Sequence, residues 1–154
     1  MKNLLFFAAI LLVGLTVSAQ TDFSGKWKLN KSTSVLNQEF TMAPGEIIIA
    51  QNGNEFKVER HASFQGNEFT INDKFTLDGK ECINDGWADS KKKSTAIWGE
   101  GEKMLTITTK FPMRDSGEMT VDEIFSLDGT SLVIKTKASS SYGVVEEKQV
   151  FDKE

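Results

Sequence analysis

Three charged side chains interrupt apolar patterns, and they are the residues best placed to do chemistry. Arg60, Asp73 and Glu123 each fall in phase with apolar neighbours, in segments where apolar and polar residues alternate. Side chains two positions apart on a strand share a face, so all three are predicted to point into the protein. There they orient the polar head of a ligand in an apolar interior, or they pair with one another or reach water at a rim.

Signatures of catalysis and of metal binding are lacking in the sequence. His61 is the single histidine and falls on the polar phase, which indicates a surface position. Cys82 is the single cysteine, so an internal disulfide is impossible, and we expect it to face inward as a small apolar group. No glycine-rich loop has phosphate-binding spacing. We therefore predict a protein that is not an enzyme and has no catalytic residue, metal or cofactor.

Two tryptophans are further candidates for a binding site. Trp98 ends a predicted strand, and Trp87 lies in the predicted loop 84–91. An indole ring at the mouth of a fold contacts a ligand or a partner surface, or else packs down onto the protein. The sequence leaves both possibilities open for each residue.

The elements that position these residues are strands, because alternation dominates the chain and helical periodicity is nearly absent. One apolar and one polar face is the pattern of antiparallel strands that are buried on one side. An irregular connection with at most one helical turn is predicted at 31–43. The predicted strands are 23–30, 46–51, 54–62, 68–77, 80–84, 92–98, 103–111, 118–127, 130–138 and 144–152.

An internal repeat relates two of the charged residues. Residues 68–79, EFTINDKFTLDG, resemble residues 118–129, EMTVDEIFSLDG, and this places Asp73 and Glu123 at equivalent positions. Each segment ends in Asp-Gly, which suits a two-residue hairpin turn.

Such turns predict specific strand registers. Arg60 is predicted to lie opposite Ile71 and diagonal to Asp73. The Asp-Gly turns predict four further pairs: Phe75 with Cys82, Asp73 with Asn84, Phe125 with Leu132, and Glu123 with Ile134.

The fold class that follows is all-β, an up-and-down antiparallel meander of about ten strands. A flat sheet of this size would expose its apolar face and both edges. Closing into a barrel removes both problems, and a two-sheet sandwich is the alternative architecture.

The amino terminus has the features of an export signal. Lys2 precedes an apolar run, and Val17-Ser18-Ala19 is a small-residue cleavage site, so residues 1–19 are predicted to be removed. The run is too short for a typical membrane span, although an uncleaved anchor is the alternative. The domain at 20–154 is then periplasmic or secreted, with no transmembrane span.

The charge of that domain argues against nucleic acid as a partner. Without Lys2, 17 of the 18 basic residues remain against 22 acidic ones, a net charge of −5. A polyanion partner favours the opposite sign. The run Lys91-Lys92-Lys93 is short and isolated, and is interpreted as a solvated strand or loop.

The start of this domain, FSGKWKLN at 23–30, resembles the opening strand of the calycin group, the lipocalins and fatty-acid-binding proteins. The whole domain also resembles small exported lipocalin-like proteins of bacteria. In the calycin group the Trp of Gly-x-Trp, here Trp27, closes one barrel end beneath a basic residue of the last strand. The usual Arg is absent here, and Lys148 or Lys153 are the possible substitutes. The connection after the first strand is also too short for a two-helix lid.

The resemblance implies a barrel with a cavity, and two functions fit it. The first is an exported binding protein that holds a small hydrophobic or amphipathic ligand, such as a lipid, in its interior. The alternative is a structural or protein-interaction barrel of the cell envelope with a filled interior. No protein partner is indicated by the sequence. An outer-membrane barrel is disfavoured because the polar face is rich in Lys and Glu.

Overall fold

A computed structural model describes residues 19–114 and 117–154. The predicted export signal lies outside these residues except for Ala19. Ten strands account for most of the described chain, and a short 3-10 turn, Glu100–Glu102, follows the sixth. In chain order they are β1 Gly25–Leu29, β2 Glu46–Asn52, β3 Glu55–Phe64, β4 Asn67–Thr76, β5 Cys82–Asp85, β6 Lys91–Trp98, β7 Leu105–Pro112, β8 Glu118–Asp128, β9 Ser131–Ser140 and β10 Gly143–Lys153.

The strands form one antiparallel sheet that curls into a nearly closed barrel. Its order is β4-β3-β2-β1-β10-β9-β8-β7-β6-β5, so the first and last strands are hydrogen-bonded neighbours. The predicted meander and barrel are confirmed, and a single sheet excludes the two-sheet sandwich. No helix in the described ranges is long and apolar enough to cross a membrane.

Strand pairing confirms one predicted register and corrects another. Arg60 lies opposite Ile71, as predicted, and Val58 lies opposite Asp73. In the β8–β9 hairpin, Phe125 pairs with Ile134 and not with Leu132. Glu123 accordingly pairs with Thr136, because the strands extend to Asp128 and Ser131 before the chain turns. The predicted register was wrong by two residues, which keeps every side chain on its predicted face because the side-chain period is two.

The predicted tight hairpin at Asp78-Gly79 is wrong, because β4 and β5 are not hydrogen-bonded neighbours in the sheet. Gly79, at a positive φ of 75°, instead donates its N–H to the carbonyl of Ala96 on β6. Side chains of β5 bridge the resulting gap. The Asn84 amide accepts from the Lys74 N–H at 2.9 Å and donates to its carbonyl at 3.0 Å. Cys82 Sγ accepts from the Thr76 N–H at 3.2 Å. The partners predicted for Asp73 and Phe75 therefore lie across the gap without strand pairing.

Asn84 acts as a substitute peptide group, so its loss should be measurable. Asn84→Ala leaves both the N–H and the carbonyl of Lys74 without these partners, and is expected to cost about 1–3 kcal/mol. Asn72→Ala, an exposed Asn on β4, should change the free energy of unfolding by less than about 0.5 kcal/mol. Urea unfolding of both variants measures the difference. Equal stabilities would show that Asn84 does not hold the gap together.

The Gly-x-Trp element closes the end of the barrel opposite the β5–β6 loop. Trp27 is 2% exposed and its Nε1 donates to the Phe23 carbonyl at 3.0 Å. Lys153 of β10 lies over the indole, with Nζ 5.2 Å from the ring centroid, and so takes the place of the missing Arg. Gly25 has a φ of 145°, and a Cβ there would lie 3.0 Å from Lys153 Cε. Glycine therefore permits the close approach of the lysine to the ring.

The segment between β1 and β2 is irregular, as predicted, and contains one turn but no helix. Lys31, Ser32 and Thr33 form a hydrogen-bonded turn, and Val35 then makes an isolated antiparallel bridge to Lys148. Further along the segment, the Phe40 ring contacts Phe64 of β3, with centroids 6.3 Å apart. The absence of a two-helix lid agrees with the short connection.

Candidate ligand chamber and ion network

Arg60, Asp73 and Glu123 meet inside the barrel. Arg60 Nη1 donates to Asp73 Oδ2 at 2.8 Å, and Nη2 donates to Glu123 Oε1 at 3.0 Å and Oε2 at 2.9 Å. Arg60 and Asp73 are buried and Glu123 is nearly so. The inward orientation and the Arg60–Asp73 pair are as predicted. The two equivalent carboxylates of the sequence repeat therefore converge on one guanidinium.

Lys92 joins this network, which corrects its assignment to a solvated lysine run. It is 5% exposed, and Nζ lies 2.7 Å from Asp73 Oδ1 and 3.0 Å from Oδ2. The ammonium also lies 5.4 Å from the centroid of the Phe111 ring. On β6 it shares a face with Ser94 and the buried Ala96. Counting backward in steps of two from Ala96 would have placed Lys92 inside.

A third carboxylate, Glu147 of β10, lies in the interior and has uncharged partners. It is 6% exposed, accepts the Asn37 N–H at 2.9 Å through Oε1, and accepts the Gln149 side-chain amide at 3.0 Å through Oε2. Sequence reasoning missed Glu147 and Gln149. The signal was present, because both are in phase with Phe151, a fully buried residue of the same strand.

These side chains line a chamber of about 90 Å³ in the half of the barrel that lies toward the β5–β6 loop. Its polar walls come from Arg60, Asp73, Lys92, Glu123 and Glu147, with Gln149, Thr109 and Thr136. Apolar residues complete the lining: Met42, Pro44, Ile71, Trp87, Phe111, Val121, Ala138 and Val145. The chamber thus combines apolar walls with a few convergent polar groups, as ligand sites do.

A larger cleft of about 560 Å³ adjoins the chamber at the gap between β4 and β5. Ile71, Trp87 and Lys92 belong to the linings of both spaces. Phe64 and Phe69 add apolar surface to the cleft, and both are partly exposed. The cleft and the chamber therefore meet at the strand gap, where Ile71 lines both, and this junction is called the side entrance below.

The other half of the barrel is filled by side chains. Phe23, Phe56 and Phe125 are fully buried, and their rings contact one another with centroids 5.8–6.3 Å apart. Such edge-to-face contacts stabilise aromatic clusters beyond the apolar area buried. The charged chamber therefore lies in the other half of the interior.

The two candidate tryptophans lie at different ends of β6. Trp87, in the loop between β5 and β6, is 60% exposed and lines both the chamber and the cleft. Trp98 packs down on the core, stacked on Phe23 with centroids 5.9 Å apart and an interplanar angle of 12°. Trp98 therefore does not lie beside Arg60, and its placement fits closure of the barrel end. A role in ligand binding stays a prediction for Trp87, Trp98 and the three charged residues.

His61 and Cys82 lie where their alternation phases indicate. His61 is partly exposed beside Glu59, with Nε2 2.6 Å from Oε1, while Cys82 is partly buried and packs against the core. Within residues 19–114 and 117–154, no three His, Cys, Asp or Glu side chains are grouped so that they could hold a metal ion.

Comparison with known proteins gives similarity of structure but not of sequence. No protein-family model matches the chain, and no curated protein sequence matches it significantly. Zebrafish ileal bile acid-binding protein, solved in complex with cholic acid, matches with a TM-score of 0.59 and 20% identity, covering 86% of this chain and 98% of that one. Caenorhabditis elegans lipid binding protein 8 has a TM-score of 0.61 and 13% identity, covering 86% and 95%. Echinococcus granulosus fatty-acid-binding protein 1 has a TM-score of 0.56 and 15% identity, covering 85% and 96%. At these identities the likeness establishes the fold alone, and this chain shares the antiparallel barrel architecture of these three proteins.

Proposed function

We propose that this protein is an exported, non-enzymatic binding protein for a small apolar or amphipathic molecule. The observation that carries the proposal is the side entrance. A cleft of about 560 Å³ with aromatic walls leads into a smaller chamber with buried charges. The ligand's apolar body lies in the cleft and its polar head enters the chamber.

The dimensions of the two spaces support this division. Pockets for small molecules commonly measure about 300–1,000 Å³, and the cleft falls within this range. The chamber, at about 90 Å³, has room for a polar head and a few carbon atoms. Ile71 and Trp87 line both spaces, so they would contact the ligand where its head meets its body.

The structural neighbours support binding over catalysis. The three described above are bile-acid-, lipid- and fatty-acid-binding proteins by name, and one holds cholic acid. Within the site, Arg60 and Lys92 both contact carboxylates, and this arrangement does not activate a nucleophile. A fold can host many functions, and the proposal therefore rests on the cleft and the chamber.

The alternative is a structural or protein-interaction barrel whose interior needs no ligand. The aromatic filling of the closed half and the mutual pairing of Arg60, Asp73 and Glu123 favour it. The open cleft favours the binding function instead, because filling by side chains alone would leave no entrance at the gap.

Mass spectrometry of the protein recovered from the exported fraction of its own cells tests export and binding together. The expected polypeptide begins at Gln20, and native spectra should show a bound small molecule. Ile71→Trp fills the passage between cleft and chamber and should abolish this bound mass. Ile83→Trp, a matched change at an exposed site on β5, should retain it.

The outcomes separate the parts of the proposal. A protein that retains residues 1–19 in a membrane fraction would contradict export. A folded protein that never carries a small molecule, in wild type or in Ile83→Trp, would favour the filled structural barrel.

A further inference from the structure

We propose that the chamber selects an amphiphile with a cationic ammonium head and rejects the carboxylate of a fatty acid. This inference rests on the proposed binding function, and it specifies the ligand class. The preference follows from the charge balance of the side chains that line the chamber, together with the partners that each charge already has.

Four of the charges cancel one another. Arg60 contacts Asp73 and Glu123, and Lys92 contacts both oxygens of Asp73. Two cations and two carboxylates therefore form a compact neutral group. A carboxylate head would have to draw Arg60 or Lys92 away from a buried partner and leave that partner's charge uncompensated.

Glu147 is the carboxylate left over. Among the described side chains that line the chamber, three carboxylates face two cations, an excess of one negative charge. The partners of Glu147 are the Asn37 N–H and the Gln149 amide, neither of which carries charge. A carboxylate has roughly four acceptor positions, so its two oxygens can still accept from a ligand. An incoming anion would double the excess, whereas a cation would remove it.

The size of the chamber favours a compact head. About 90 Å³ accommodates a primary ammonium group with its first carbon atoms, and the three N–H donors of that group suit carboxylate and amide oxygens. Lys92 lies at the entrance, but Asp73 holds its ammonium at 2.7 Å, which offsets its repulsion of a second cation. The alkyl chain then lies along Phe64, Phe69 and Trp87 in the cleft.

The test compares decylamine, decanoate and decan-1-ol, which share one alkyl chain, by isothermal titration calorimetry at pH 7. The wild-type protein is expected to bind decylamine at least tenfold more tightly than decanoate, with decan-1-ol between them. Glu147→Gln, nearly identical in shape, should weaken decylamine at least tenfold and leave decan-1-ol within twofold. Glu146→Gln is the matched control, because Glu146 is next to Glu147 in the sequence but its side chain is exposed and pairs with Lys137. This variant should leave all three affinities within twofold.

Each result decides between specific statements. Decanoate binding as tightly as decylamine, or more tightly, overturns the cationic preference while the binding function stands. A decylamine affinity that Glu147→Gln and Glu146→Gln change equally assigns the preference to net charge and overturns the role of Glu147. Binding of none of the three compounds overturns the proposed function and this inference with it. The comparison of the three compounds on the wild-type protein does not depend on whether any variant folds.

Discussion

Replacing Trp27 by alanine is expected to lower the free energy of unfolding by about 3–5 kcal/mol. The indole is buried, hydrogen-bonded to the Phe23 carbonyl and covered by Lys153, so its removal leaves a cavity at the closed end of the barrel. The cavity would lie where the first and last strands meet, because Trp27 is opposite Ile47 of β2 on one side and Lys153 of β10 on the other. Urea or thermal unfolding measures the loss.

Trp87→Ala is the matched control for that experiment. This indole is mostly exposed in the β5–β6 loop, and its loss should cost less than about 1 kcal/mol. A loss below about 1 kcal/mol for Trp27→Ala as well would contradict the closing role of Trp27.

Replacing Arg60 by methionine is the second change with a large expected effect, also about 3–5 kcal/mol. Methionine fills much of the space but leaves Glu123 without its cation and Asp73 with Lys92 as its remaining cationic partner. The cost arises because a buried carboxylate without its cationic partner has lost its hydration and is no longer neutralised by a nearby positive charge. Chemical denaturation measures it.

A control on the same strand and a double variant make this result specific. Lys57→Met removes an exposed ion pair with Glu55, at 3.0 Å, and should cost less than about 1 kcal/mol. Adding Glu123→Gln to Arg60→Met neutralises one stranded charge and should restore about 1 kcal/mol or more. If the double variant is instead less stable than Arg60→Met, the destabilisation does not come from uncompensated charge.

A large loss for Arg60→Met would also assign Arg60 a structural role. Its contacts to two carboxylates make it part of the chamber wall. This agrees with a ligand head that is recognised by Glu147. If Arg60→Met instead leaves the empty protein as stable as the wild type and abolishes binding, Arg60 itself holds an anionic head.

Residue alternation was sufficient to predict the three central charges of the chamber. Arg60, Asp73 and Glu123 occupy phases set by several buried neighbours each, such as Val58, Phe75 and Phe125. A side chain on a regular strand has two possible faces, so it would turn outward only if the predicted alternation were shifted by one residue. The register error in the β8–β9 hairpin did no harm, because a shift of two residues preserves the face.

Lys92 and Glu147 were missed because the charged composition of their segments was given more weight than the alternation of buried and exposed positions. Each belongs to a run of charged residues, Lys91–Lys93 and Glu146–Lys148, and such runs are ordinarily solvated. Burial of the central residue became possible because a partner from elsewhere in the chain was present: Asp73 for Lys92, and the Asn37 N–H for Glu147.

The sequence by itself thus determined the ten strands and their inner and outer faces, because these depend on local alternation and turn chemistry, whereas the closing role of Trp27 was implied by the calycin resemblance. Tertiary structure decided where the barrel opens, since the length of β5 and the path of residues 77–81 toward β6 separate β4 from β5. It also decided that Trp87 borders the chamber while Trp98 packs on Phe23. Alternation specifies which way a side chain points, but curvature of the sheet specifies what it meets. For that reason the contact between Arg60 and Glu123, 63 residues apart, could be read only from the closed barrel.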